Sequence, residues 1–194
     1  MILKNNYVVG TLIQFYELVM VPELIQSYCQ MLEYIYNPEN VTFHFCFSQQ
    51  EYLEKIDWEG LGIVLGNGDW VKESMLQIRF NGLISPLSTY NCIIDSDSKS
   101  NNDEFYNIAA YRRELNYNWC ETADYILWGE CDSFFPKRTF RIIEELDGMV
   151  HAATPKFIAS FSQRKLWGND WVKNEHPIFA KVQYQENDDW ILNN

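Results

Sequence analysis

Apolar residues recur along this chain at two spacings, one that suits strands and one that suits helices. Residues 7–15, rich in Val, Leu, Ile and Thr, predict a first strand, which ends at Tyr16 and Glu17. Pro22 then opens a helix. Leu24, Ile25, Tyr28, Leu32 and Ile35 fall on one face at three- and four-residue steps, and Asn37-Pro38 stops it. Residues 41–47 are again strand-like, with Thr42, Phe43, Phe45 and Phe47 supplying β-propensity. A strand, a helix and a strand in that order predict a parallel pair with a right-handed crossover. Residues 51–94 are harder to read. Gly60, Gly62, Gly66 and Gly68 punctuate them, the short apolar run 61–65 suits a strand or a packed loop, and residues 90–94 read as a strand, ending in Asp95-Ser96-Asp97-Ser98.

From about residue 104 to residue 123 the pattern predicts a helix whose apolar face is set by Phe105, Ile108, Leu115 and Trp119. Arg112 falls on the same face. A guanidinium on a buried stripe needs a partner, which is either a structural carboxylate or a ligand phosphate. Arg113 beside it and Asn116 one turn further on add donors suited to phosphate oxygens. Residues 125–128 are four apolar residues in a row, as in a strand buried on both faces at the centre of a sheet, while Phe140, Ile143 and Leu146 recur at helical spacing behind Pro136. The turn between them carries Glu130 and Asp132. In extended geometry alternate side chains share a side, so these two carboxylates can converge on one cation; an ordinary solvated turn is the alternative. Residues 150–161 have strand character broken by Pro155, and Trp167 and Trp171 bracket an aromatic loop.

The alternation of strands and helices predicts an α/β fold, a mostly parallel sheet with helices on both faces. A chain of 194 residues with 47% hydrophobic content is long enough for one domain with a substantial core. Charge narrows the partners. With 27 Asp and Glu against 15 Lys and Arg, and no basic block, a nucleic-acid backbone would be repelled. A nucleotide diphosphate needs only a few Arg or Lys and one divalent ion, so it stays open. No Gly-x-Gly-x-x-Gly follows the first strand, which argues against an NAD or FAD enzyme. Cys29, Cys46, Cys92, Cys120 and Cys131 are scattered singly, an odd number that reads as buried hydrophobes in a reducing compartment. The N-terminus does not read as a signal peptide, and no apolar run approaches the roughly 20 residues of a membrane span. A soluble, cytoplasmic protein is the expectation.

Residues 124–136, Asp-Tyr-Ile-Leu-Trp-Gly-Glu-Cys-Asp-Ser-Phe-Phe-Pro, resemble the strand and acidic motif of GT-A-fold glycosyltransferases, which carry Asp-x-Asp or a variant after an apolar strand and commonly a Pro soon after. Glu130 departs from the usual first Asp. The resemblance extends more weakly from about Tyr7 to about Trp171. It implies a Rossmann-like GT-A sheet in one domain over residues 1–194, with residues 1–132 as the nucleotide-sugar half and residues 133–194 as a short acceptor side, in a minimal or truncated member. It also implies a metal-dependent transferase that moves a sugar from a nucleoside diphosphate donor to a carbohydrate or other hydroxyl acceptor.

In that reading Glu130 and Asp132 hold Mn²⁺ or Mg²⁺, with His176 as a candidate third ligand, and Arg112, Arg113 and Asn116 line the donor pocket. Gln14, Tyr16 and Ser48, at the ends of the first two strands, would meet the base and ribose. Asp170 or Glu175 would be the base that deprotonates the acceptor if the enzyme inverts, and the loop at Trp167 to Trp171 would stack a sugar. Asp95 and Asp97, a literal Asp-x-Asp, compete for the metal. Two alternatives remain. A nucleotidyltransferase shares the sheet and acidic ligands but usually has a Gly-rich basic loop after the first strand, and a catalytically inactive carbohydrate-binding or assembly protein could keep the fold alone.

Overall fold

The computed structural model of the chain describes residues 1–18, 20–50, 69–100, 103, 106–149 and 164–165. The first strand, β1 (Tyr7–Gln14), is buried along almost its whole length, as its unbroken apolar run requires of a strand covered on both faces. A one-turn 3-10 helix (Phe15–Glu17) leads to α1 (Val21–Leu32), which has Pro22 in its first turn and buries Leu24, Ile25, Tyr28 and Leu32. Next comes β2 (Val41–Ser48), equally buried. Then follow α2 (Asp69–Ile84), β3 (Ile93–Lys99), α3 (Ile108–Trp119) and β4 (Tyr125–Glu130). A short antiparallel pair, β5 (Ser133–Phe134) with β6 (Arg164–Lys165), flanks α4 (Thr139–Met149) in sequence.

The four longer strands form one sheet in the order β3-β2-β1-β4, and every pairing is parallel. Helices cover both faces. On one, Val9 and Ile13 of β1 and Phe43, Phe45 and Phe47 of β2 pack with Leu24 and Tyr28 of α1, Leu76 and Phe80 of α2 and Phe140 and Ile143 of α4. On the other, Val8, Leu12 and Cys46 pack against Tyr111 and Leu115 of α3. The expected α/β architecture therefore holds. Gly10 sets the closeness of α3, because a Cβ there would lie 2.2 Å from Leu115 Cδ2 and 2.8 Å from the Tyr111 hydroxyl. At the amino end, the Glu144 carboxylate of α4 accepts the Lys4 and Asn5 amides and the Tyr7 hydroxyl, fixing the start of β1.

Four expectations need correction. Strand β4 is at the edge of the sheet among the described residues, not at its centre, and it buries one face: Tyr125, Leu127 and Gly129 turn inward while Trp128 is 41% exposed. Helix α3 starts at Ile108, because Asn107 caps it by accepting the Ala109 and Ala110 amides, each at 3.0 Å. Its buried residues are Tyr111 and Leu115, so Arg112 lies beside the apolar stripe and Ile108 is partly exposed. Strand β3 begins at Ile93, not at residue 90, and runs on through Asp95 and Asp97, which lie inside it; among the described residues it is an exposed edge strand. Finally, α2 occupies part of the stretch that showed no periodicity. Among the described residues no helix is long and apolar enough to cross a membrane, and none of the five cysteines forms a disulfide.

Candidate functional site

The strand order reverses at β1: its crossover to β2 goes one way, and the return through α3 places β4 on its other side. In open parallel sheets the crevice outside the carboxyl ends at such a reversal receives ligands, because backbone and side chains there have nothing to pack against. Three carboxyl-bearing residues stand at or just beyond this edge of the sheet. Glu17 closes the turn after β1, Glu130 ends β4 level with Leu12, and Asp132 follows in the turn to β5.

Their settings differ. The Glu17 carboxyl accepts the Gln14 amide at 2.8 Å. Its pKa is pushed up to about 8, first by desolvation and then by the negative fields of Asp132 and Glu130, with the Gln14 hydrogen bond opposing. Asp132 is 8% exposed and accepts the Ser133 hydroxyl at 3.2 Å. Glu130 lies toward α3, its side chain about half exposed, and pairs with Arg112 at 3.0 Å. Because β4 stops at Glu130 and residues 131–132 form a turn, the strand alternation that would place both carboxylates on one side does not extend to Asp132. Buried Cys131 between them directs its thiol to the Glu17 carbonyl at 3.7 Å.

The expected donor residues divide into two groups. Gln14 and Ser48 are register partners at the ends of β1 and β2, so they share the carboxyl edge. Ser48 is fully buried, and among the described residues its hydroxyl has no hydrogen-bond partner; the same is true of the Gln49 side-chain carbonyl next to it. Tyr16 lies in the 3-10 turn, but its side chain is outside the described residues. Arg112 and Asn116 interlock with β4: the Arg112 guanidinium lies 5.9 Å from the centre of the Trp128 ring, and the Trp128 indole donates to the Asn116 carbonyl oxygen at 3.2 Å. Arg113 is exposed.

Asp95 and Asp97 sit on the opposite flank, two strands from β1. Asp95 faces His44 at 3.8 Å, and Asp97 pairs with Lys99 at 3.1 Å while accepting the Ser98 amide. Asp170, Glu175, His176 and the loop at Trp167 to Trp171 lie outside the described residues. Sequence reasoning overlooked two participants. Glu17 was visible only as a strand end, and Trp128 was read as core, although its place two residues before Glu130 puts both on the α3 face.

Among the described residues no group of three His, Cys, Asp or Glu side chains is arranged to hold a metal ion. In kind the donors suit a hard divalent cation, since all are carboxylate oxygens, and Mg²⁺ is commonly held by one or two carboxylates together with substrate phosphates and water. Burial is the main reason the Glu17 carboxyl is raised, with the fields of Asp132 and Glu130 adding to it. No protein-family model, curated protein or solved structure matches this chain.

Proposed function

We propose that the carboxyl edge of the sheet binds a nucleoside diphosphate sugar together with Mn²⁺ or Mg²⁺, and that the chain is a glycosyltransferase of the GT-A type. The observation that carries this reading is the gathering of Glu17, Glu130 and Asp132 at the strand-order reversal between β1 and β4. Two further features support it. The Ser48 hydroxyl and Gln49 carbonyl, which have no partner among the described residues, lie at the end of β2, where a base or ribose would supply hydrogen bonds. Arg112 stands beside the same edge as a donor for phosphate oxygens.

In this reading the acceptor hydroxyl attacks the anomeric carbon, the bond to the diphosphate breaks, and the acceptor proton passes to a base on the acceptor side, for which Asp170 and Glu175 are the candidates. Asp132, with Glu130, would hold the cation, which when bound supplies Lewis-acid stabilisation of the departing diphosphate. A second reading, a carbohydrate-binding protein that keeps the fold without the chemistry, draws on the Arg112–Glu130 pair, which already neutralises one of the three carboxylates.

Titrating UDP in the presence of Mn²⁺ into the wild type, Asp132→Ala and Asp97→Ala separates these readings. The transferase reading expects Asp132→Ala to lose at least about tenfold in affinity and Asp97→Ala to stay near wild type. Equal losses in both variants, or binding of sugar without nucleotide, would overturn it.

A further inference from the structure

We propose that His44 and Asp95, side by side on β2 and β3, receive a primary ammonium group between them. Neither residue belongs to the carboxyl edge of β1 and β4, so this site stands or falls independently of the nucleotide-binding reading.

The hydrogens around His44 define what it can accept. His44 and Asp95 are register partners and so share one face of the sheet. The Tyr111 hydroxyl of α3 donates its single hydrogen to the His44 backbone carbonyl at 3.0 Å. In its other contact, with His44 Nδ1 at 3.1 Å, the ring must therefore be the donor. A neutral imidazole that keeps its hydrogen on Nδ1 has a bare lone pair on Nε2. That atom faces Asp95 Oδ2 at 3.8 Å. Two acceptors thus confront each other with no hydrogen between them, and a donor nitrogen about 2.9 Å from each would fill the gap. No third His, Cys, Asp or Glu among the described residues joins them in a metal-holding group, so the pair suits a hydrogen-bond donor rather than a metal ion.

The charges nearby favour a donor that is also a cation. A proton on Nε2 would close the gap from within, but burial lowers the His44 pKa against the opposing fields of Asp95 and Asp97 on β3 and Glu114 on α3. On the β1 side the register partner is Gly10, which carries no charge. Asp97 is committed to Lys99 at 3.1 Å, and Glu114 accepts the Tyr106 hydroxyl. Among the described residues Asp95 has no partner beyond His44, and its side chain is 51% exposed, so the gap is open to an incoming group. An ammonium group brings both charge and N–H donors, whereas water brings donors alone. Ile93, two residues before Asp95 on the same face and also exposed, offers an apolar surface to the attached alkyl chain. Tyr111 touches no ligand in this arrangement; it is a positioning residue that keeps Nε2 bare.

Butylamine titrated into the full chain near neutral pH, followed by nitrogen NMR of the histidine rings, tests the site. The wild type should carry its hydrogen on His44 Nδ1 and show a saturable shift of the His44 signals. Tetramethylammonium, which has the charge without N–H donors, should produce no such shift. Asp95→Asn should weaken butylamine binding at least about tenfold. Tyr111→Phe should weaken it about fivefold, because the ring hydrogen is then free to move to Nε2 and satisfy Asp95 directly, a change of tautomer that a merely structural Tyr111 would not cause. If Tyr111→Phe fails to fold, Asp95→Asn, at an exposed strand position, still decides. A hydrogen on Nε2 in the wild type, equal shifts with tetramethylammonium, or undiminished butylamine affinity in Asp95→Asn would overturn the site.

Discussion

Glu17 shows most directly how the chain's charges meet. A carboxyl whose pKa is about 8 in the folded state and 4.5 ordinarily keeps a proton on folding that the unfolded chain releases between those values. The folded state then binds more protons, so this group's contribution to stability is full below about 4.5 and is lost as pH rises through about 8. The metal-free protein should therefore lose melting temperature between pH 5 and pH 8, and Glu17→Gln should flatten that slope and melt higher at pH 8. Parallel slopes in the two proteins would show that Glu17 is not desolvated beside Asp132 and Glu130. Little of this could be read from the sequence. Glu17 stands 113 positions from Glu130, and only the parallel register of β1 with β4 brings their ends together. The pair Glu130 and Asp132 was legible as an acidic turn after an apolar strand, but its geometry was not, since the point at which β4 ends decides where Asp132 goes.

At the scale of elements, legibility followed burial. β1, β2 and α1 are covered by the core and so had to carry apolar residues at strand or helix spacing, which made them readable to within a few residues. β3 did not, because an edge strand with one exposed margin tolerates Asp95, Ser96, Asp97 and Ser98 and gains resistance to edge pairing from them. α2 buries only Leu76, Phe80 and Ile84 among its described side chains, a stripe at four-residue steps that polar and glycine neighbours obscured. The start of α3 was misplaced because Asn107 was read as helix interior when it is the cap. The position of α3 matters for the site, since it carries Arg112 and Asn116 against β4. Gly10→Ala tests that dependence. The added methyl would meet Leu115 and Tyr111, both 1% exposed, so the helix must shift outward; overpacking of this kind costs about 1–3 kcal/mol. Chemical denaturation should show that loss, together with weaker anion binding if Arg112 moves with its helix. Wild-type stability would mean that α3 is loosely seated.

The described residues build a four-stranded parallel sheet between helices and a short antiparallel pair, with acidic side chains at the carboxyl end of the larger sheet and, at the other end, a hydrogen-bonded anchor built on Glu144. Its class was legible because strand, helix and strand in succession admit few arrangements. The edge position of β4 was not, since four apolar residues in a row fit a strand packed on one face as well as one buried on two. The functional account depends on a single claim, that the crevice between β1 and β4 takes a cation and a nucleoside diphosphate together. Calorimetric titration of UDP into the wild-type chain, with and without Mn²⁺, tests it most directly. The account predicts saturable binding that is strengthened by Mn²⁺ and restored to its weaker metal-free level by chelation. UDP binding that is absent in both conditions, or identical in both, would contradict it.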